Sequence, residues 1–474
     1  MTRHPHLTPY RAEDAADVLA MLVRGESVAI VGLSNFGKST LLRQMAEPGI
    51  AATYQAQIGR PALFVYVDCN RMLEMSPQGF YEVIVRSVLE KLADHDEAGG
   101  PLSHNLEGLY QKVVESRSAF AIPLAFNDAI IALMENNVER DLILMLDEFD
   151  AVVTGLDERV FLNLRALKDK YDDRLNYVTA TQKPLSAAGG GDDLAEFIEL
   201  FAAYKHHLKP LNAAEATALA ADVFQQANDT LEPPERDFIL REAGGHPGLI
   251  QAVAHIVMEI ESGVPANYTQ QALAVAQDAL QNHRLVRSEL AKLWNQLMPA
   301  EREAVTHFVM DGLDGMDPTQ RAELLRRGLL VQTGSTTHLF GQLFARYARR
   351  QVLLQQDIPD GIWVDVDAGT VWVRGQMVEP LTDLEYRLLL LLYGRLDKIC
   401  DKYQIVEAVW GQEYLGDVDD ARIEKLISRL RAKIEPDPAR PQFISTVRGR
   451  GYQLTNVKPL NDVVESESRS QPNS

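Results

Sequence analysis

The chain has 474 residues and carries 47 Lys and Arg against 67 Asp and Glu, a formal charge of −20 at pH 7. That length predicts about three or four domains, and a composition of 46% hydrophobic and 24% charged residues excludes a mostly disordered chain. The acidic balance excludes a protein that coats nucleic acid non-specifically, because phosphate binding needs clustered cations; a local basic patch is compatible with it.

The two cysteines, Cys69 and Cys400, are too few and too far apart for a disulfide framework or a thiolate zinc site. The stretch 1–10 has no apolar signal core. The longest apolar run, 388–393, falls far short of the ~20 residues that span a bilayer. The expected compartment is the cytoplasm, with no membrane partner.

Residues 14–23 carry apolar side chains at helical spacing. The β-rich run 28–31 ends at Gly32, and 63–68, 142–146 and 176–179 are further strand candidates. Helical patterns such as 80–93 and 161–170 separate them, which predicts a parallel sheet covered on both faces. Stretches 94–103 and 189–191 read as surface loops. From 213 to about 350 helical periodicity takes over, and a polar hinge lies near 355–361. The remainder, to 454, reads as short strands, helices and a hairpin, with 461–474 a frayed, disordered tail.

Gly32-Leu33-Ser34-Asn35-Phe36-Gly37-Lys38-Ser39 fits the phosphate-loop pattern G-x-x-x-x-G-K-[ST], after a strand and before a helical run over 40–46. Gly32 and Gly37 let the backbone bend so that its N–H groups face phosphate oxygens, and the helix N-terminus adds a positive dipole end. The expected ATP or ADP contacts are therefore Gly32, Ser34, Asn35, Phe36, Gly37, Lys38, Ser39 and Thr40. Lys38 should reach the β- and γ-phosphates, and the Ser39 hydroxyl should ligate Mg²⁺.

The strand 142–146 delivers Asp147 and Glu148 to the carboxyl edge of the sheet, where open α/β folds bind ligands. Asp147 would hold Mg²⁺ through water, and Glu148 would orient or deprotonate the attacking water. Glu148 and Lys38 are thus the catalytic candidates. Asp150 reads as a helix N-cap. The strand ending at Gln182 places Thr179 or Thr181 to sense the γ-phosphate.

Over residues 28–350 the chain resembles the STAND class of signalling P-loop ATPases, relatives of the AAA+ ATPases. Besides the two motifs above, the resemblance rests on Leu208-Lys209-Pro210-Leu211 and Gly244-Gly245-His246-Pro247-Gly248-Leu249-Ile250. It implies a helical domain closing over the nucleotide, with Pro247 and His246 near the adenine or phosphates. It also implies a winged-helix segment containing Leu329-Leu330-Val331 and a helix over 339–347, where His338 reads as a surface histidine. Gln182 stands where family members often carry an arginine, which points to a slow, switch-type ATPase.

Farther along, Thr382 and Glu385 form a capping box opening a helix, a second helix surrounds 403–410, and a third runs over 419–434. In the third, Arg422, Lys425, Arg429 and Lys433 form a cationic stripe beside an apolar one. From Arg422 to Arg450 there are eight Lys and Arg and three Asp and Glu, so this stretch is +5 in an acidic protein. A hairpin over 443–454 turns at Arg448-Gly449-Arg450-Gly451 and offers Arg448 and Arg450 on a wing.

These residues, with Val409-Trp410-Gly411, the run Ile427 through Asp437 and Thr446-Val447, are similar to the OmpR/PhoB-type winged-helix DNA-binding domain over 361–454. The resemblance implies that the third helix enters the major groove of duplex DNA and that the loop 411–418 can contact RNA polymerase.

The expected architecture is a multi-domain α/β P-loop NTPase with a parallel sheet, a helical lid and winged-helix segment, and a C-terminal winged helix. The expected divisions are 1–212, 213–284, 285–354, 361–455 and the tail 461–474. The expected function is an ATP-dependent transcriptional regulator whose nucleotide switch presents the winged helix, with self-association as one route. An origin-recognition-like AAA+ initiator, and a defence or scaffold ATPase whose winged helix binds protein, are the other readings.

Overall fold

Four small or β-branched apolar residues form β1 (Val28–Val31), which is buried at every position, as a central strand covered on both faces must be. The computed structural model describes residues 10–94, 100–136, 139–187, 192–202, 204–261, 269–356, 361–365, 370–373, 376–378, 381–411 and 420–455. The chain divides into two compact units, Met1–Arg346 and Tyr347–Ser474.

In the first unit α1 (Ala12–Leu22) precedes β1, and α2 (Lys38–Met45), α3 (Pro48–Ile58) and β2 (Ala62–Asp68) follow. Three helices, α4 (Pro77–Asp94), α5 (Pro101–Glu115) and α6 (Ala121–Met134), lead to β3 (Asp141–Asp147). Next come α7 (Asp150–Gly155), α8 (Arg159–Tyr171), β4 (Leu175–Thr181), α9 (Asp192–Glu199) and β5 (Lys205–His207). The five strands form one sheet in the order β2-β3-β4-β1-β5, and every pairing is parallel.

The register sets Asp68 beside Asp147, Leu146 beside Thr179, and Val31 beside Thr181. The phosphate loop, the end of β4 and the acidic residues therefore share one edge of the sheet. One apolar cluster joins α4, α5, α6 and α8 to one face of the sheet. A second joins α1, α2 and α3 to the other. β5, whose Lys-His-His sequence carries no strand signal, was not anticipated. Nor was the start of α5 at Pro101, which ends the expected loop by Gly100; residues 95–99 and 188–191 lie outside those described.

Helices dominate the rest of this unit: α10 (Ala213–Gln226), α11 (Pro233–Ala243), α12 (Pro247–Glu261), α13 (Thr269–Asn282), α14 (Arg284–Gln296), α15 (Pro299–Asp311) and α16 (Pro318–Arg326). The hairpin β6 (Leu330–Thr333) and β7 (Thr336–Leu339) follows, then α17 (Gln342–Gln356). The helix expected from residue 339 starts instead at Gln342. Leu339 closes β7, and Gly341 at φ +63° breaks the chain between them.

The second unit takes in the rest of α17, from Tyr347, and then a three-stranded antiparallel sheet of β8 (Ile362–Asp365), β9 (Thr370–Val373) and β10 (Gln376–Met377). Then come α18 (Asp383–Tyr393), α19 (Lys402–Val409), α20 (Asp420–Ile434) and the hairpin β11 (Ile444–Val447) and β12 (Gly451–Leu454). The capping box of Thr382 and Glu385 opens α18 as expected. The buried stripe of Ile423, Leu426, Ile427, Leu430 and Ile434 seats α20 in this unit's own core. Among the described residues no helix is long and apolar enough to cross a membrane. The tail 461–474 lies outside them.

Candidate functional site

The loop between β1 and α2 passes twice through left-handed backbone, at Asn35 (φ +56°) and Gly37 (φ +91°). Only glycine adopts the second without strain, which is the physical reason for Gly37 in the motif. Lys38 begins α2 and is buried, its Nζ donating to the Gly32 and Leu33 carbonyls at 2.8 and 3.2 Å. Burial lowers its pKa, against the charges of Glu148, Asp150 and Asp147, which favour the ammonium.

Asp147 closes β3 and is fully buried. Tyr66 of β2 donates its hydroxyl to Asp147 Oδ2 at 2.7 Å, and the Glu148 N–H donates to Oδ1 at 3.0 Å. Glu148 itself sits at φ +52°, an uncommon conformation for a long side chain that turns the chain sharply at the sheet edge. Burial raises its carboxyl pKa and Asp147 and Asp150 add to this, while Lys38 opposes it. That suits a group asked to accept a proton.

Asp150 differs from its expected role. The N-cap of α7 is Phe149, which has no capping side chain, and the Asp150 carboxylate instead accepts from the Gln182 N–H at 2.9 and 3.0 Å. Asp150 thereby ties α7 to the end of β4. Thr179 and Thr181 are buried there with hydroxyls that have no hydrogen-bond partner among the described residues.

A cavity of about 480 Å³ opens above the loop. Lys38, Ser39, Thr40 and Glu148 line one side; Pro247, Gln251 and His255 of α12 and Ser288, Glu289 and Lys292 of α14 line the other. A neighbouring cavity of about 370 Å³ shares Gly37, Thr40, Pro247, Gln251 and His255 with it. Its further walls include Tyr10, Arg11, Leu211, Leu219, Asp222 and Val223.

The helices hold the loop directly. The His246 ring is wholly buried; its Nδ1 accepts from the Leu249 N–H at 3.1 Å, so Nε2 carries the proton and donates to the Ser34 carbonyl at 3.2 Å. Burial pushes its pKa down to about 3. Asn35 donates to Glu289 at 2.8 Å, and the Ser34 N–H donates to Gln296 at 2.8 Å. The Phe36 ring points away from the cavity, edge-on to His246 and Phe340, while its carbonyl accepts from the Arg11 guanidinium.

Of the expected residues, Ser34, Asn35, Gly37, Lys38, Ser39, Thr40, Glu148 and Pro247 line the larger cavity. Gly32, Phe36 and Asp147 do not line it. Arg11, Tyr66, Glu289, Gln296 and Arg327 were missed. His338 is an exposed histidine bonded within its own hairpin, as expected. Among the described residues no cluster of three or more His, Cys, Asp or Glu is placed to hold a metal ion alone.

In the second unit Arg422, Lys425 and Arg429 lie on the exposed face of α20, and Arg448 and Arg450 are exposed on the hairpin turn. Lys433 departs from the stripe: its Nζ donates to Glu385 at 2.8 Å. Burial raises the Glu385 carboxyl pKa, but Lys433 and the Thr382 N–H outweigh it and bring the value below ordinary. Glu435 turns inward and accepts from the Gln442, Phe443 and Ile444 N–H groups, and Arg431 donates to the Ile444 carbonyl at 2.7 Å. The loop 412–418 lies outside the described residues.

Residues 375–454 match the family model described as "Transcriptional regulatory protein, C terminal". The chain is 42% identical over 91 residues to the uncharacterized transcriptional regulatory protein YrkP of Bacillus subtilis, covering 19% of this chain and 38% of that protein. It is 41% identical over 91 residues to the transcriptional regulatory protein AfsQ1 of Streptomyces coelicolor, covering 19% and 39%. The chain thus spans well under two thirds of the length of the relatives it matches.

Among solved structures, a Walker-type ATPase of Pyrococcus abyssi aligns at TM-score 0.41 and 12% identity over 72% of this chain and 95% of that one. The RuvB Holliday junction branch migration motor of Thermotoga maritima aligns at 0.35 and 12%, over 74% and 96%. The Klebsiella pneumoniae RstA DNA-binding domain, solved with the RstA box, aligns at 0.18 and 25%, over 21% and 96%. The C-terminal part of the chain is a transcriptional-regulator domain of the OmpR/PhoB type, joined to a parallel α/β unit that carries a phosphate-loop sequence.

Proposed function

We propose that this chain is an ATP-dependent transcriptional regulator, in which a STAND-like nucleotide switch controls the DNA-binding winged helix. The observation that carries the reading is a buried phosphate-loop lysine facing an acidic pair, on one chain with a transcriptional-regulator domain. Divisions near 212, 284 and 354 belong to the same proposal.

The residues present fit a nucleotide with Mg²⁺. Lys38 offers an ammonium on a strand-to-helix loop, and the helix N-terminus adds donors. Ser39 and Asp147 would hold the cation, which when bound neutralises phosphate charge. The smaller cavity, with Leu211, Leu219, Val223 and Pro247 as apolar walls, suits a base. Glu148 would take the proton of the attacking water. On the DNA side Arg422, Lys425 and Arg429 would enter the major groove, with Arg448 and Arg450 reaching phosphate or minor groove. Self-association and contact with RNA polymerase are the partners this reading adds.

The test is selection of bound sequences from a randomised duplex pool by the full chain, with ATP, with ADP and with neither. Enrichment of a sequence whose affinity changes with the nucleotide is expected. Nucleotide binding with no enrichment at low salt would replace the regulator by a protein-binding ATPase.

A further inference from the structure

Three consecutive polar groups at the end of β4 are each held by a different part of the first unit. The Thr181 carbonyl accepts from the N–H of Gly32, the first glycine of the phosphate loop, at 3.0 Å. The Gln182 N–H donates to Asp150, three residues beyond Asp147. The Gln182 carbonyl accepts from Arg327 Nη2 at 3.1 Å. Arg327 follows α16, so this last contact ties the sheet edge to the segment bearing the β6–β7 hairpin.

Arg327 is not a surface arginine reaching inward by chance. Its side chain and that of Glu301 are each 1% exposed, and Nε donates to Glu301 Oε1 at 2.7 Å. The other Glu301 oxygen accepts the Met298 N–H and caps α15. The next residue, Gly328, sits at φ +71°, where a Cβ would lie 2.4 Å from Pro210 Cδ. The guanidinium is therefore fixed from behind, and only the Gln182 end faces the sheet. A buried arginine pair of this kind is a poor source of stability, and its best-attested use is to specify one arrangement over another.

We propose that Arg327 is a positioning residue for the nucleotide site, coupling the end of β4 to the hairpin-bearing segment through the main chain of Gln182. The coupling rests on the nucleotide reading above. Thr181, the residue before Gln182, has a buried hydroxyl with no partner among the described residues, as expected of a group that meets a ligand. A ligand drawing on Thr181 or shifting Glu148 moves the main chain at Gln182, whose N–H is held by Asp150 and whose carbonyl is held by Arg327. The segment carrying Arg327 then follows, or lets go. Burial lowers the Lys38 pKa, and the same guanidinium adds to it by an effect smaller than those of Glu148, Asp150 and Asp147, which oppose it.

The test is hydrogen exchange on the full chain, saturated with Mg–ADP or with a non-hydrolysable Mg–ATP analogue, binding being verified first by calorimetry. In the wild type, exchange in the hairpin, 330–339, should differ between the two nucleotides by about fivefold or more, the lower end of an ordinary coupling free energy. In Arg327→Met/Glu301→Gln, where the amide preserves the α15 cap, both nucleotides should still bind and the difference should vanish. Asp150→Ala, which frees the N–H of Gln182, should abolish it too and serves if the first variant does not fold. A difference that persists in the variants overturns the proposal, as does its absence from wild type that binds both nucleotides. If neither nucleotide binds wild type, the calorimetry shows that the nucleotide reading has failed, and the coupling falls with it.

Discussion

His246 holds Ser34 from behind: its protonated Nε2 lies 3.2 Å from the Ser34 carbonyl oxygen, while its unprotonated Nδ1 takes the Leu249 N–H. One neutral imidazole thus fastens the start of α12 to the phosphate loop, and both bonds need that single tautomer.

The arrangement makes a pH prediction. The folded pKa of His246 is depressed to about 3 from an ordinary 6.5, so the unfolded chain binds the proton first. Its contribution is intact above pH about 6.5 and is lost progressively as pH falls, at up to about 1.4 kcal/mol per pH unit. His207, held at about 4 by burial and the nearby arginines, acts in the same direction. Urea unfolding between pH 7.5 and 5 should show this loss, and His246→Gln, which keeps a donor but cannot titrate, should flatten it. An equal slope in both proteins would exclude His246 as its source.

Lys38→Ala should weaken ATP binding at least tenfold, about 1.4 kcal/mol, because phosphate charge would face a partly desolvated loop with no ammonium. Calorimetry decides this, and unchanged affinity removes the nucleotide site.

Glu148→Gln keeps the shape of the side chain and removes the base. ATP should bind as before, while phosphate release falls sharply. Equal turnover in the two proteins would take Glu148 out of the chemistry. A wild type without measurable turnover would mark the chain as a binding switch.

On the DNA face, the double substitution Lys425→Glu/Arg429→Glu should abolish duplex binding by the full chain and leave ATP binding intact. The wild-type affinity should fall steeply with salt, as expected of paired cation–phosphate contacts. Retained binding would place the interface elsewhere.

Lys433→Ala should behave differently, since its ammonium neutralises a buried carboxylate. It should cost about 1–3 kcal/mol of stability in the second unit, from a Glu385 left without its cation. The salt dependence of DNA binding should stay near the wild-type slope. Thermal unfolding read against binding isotherms separates the two effects.

What the sequence disclosed was local. The glycine turn before Lys38, the apolar strand before Asp147 and the capping box of Thr382 are each written within a few residues, and each stands where expected. The residues that close the site were illegible because their partners are distant: Asn35 and Glu289 are 254 positions apart, and Arg327 lies 145 beyond Gln182. No periodicity connects such pairs. The Lys-His-His of β5 lacked any strand signal because it borrows its order from β1. Lys433 misled for the opposite reason. Helical spacing placed it on a stripe, but one turn near the helix end was enough to bring it to Glu385.

Glu435 entered the charge count as an acid opposing DNA, yet it faces the interior and gathers three backbone N–H groups at the start of the hairpin. Helix α20 and the wing are therefore one rigid piece. The base of the hairpin need not be ordered when a duplex arrives, so that part of the entropic cost of binding is met during folding. A negative charge hidden in the domain thus sharpens a positive surface, and the reach of the wing is set by a residue that no base or phosphate would ever touch.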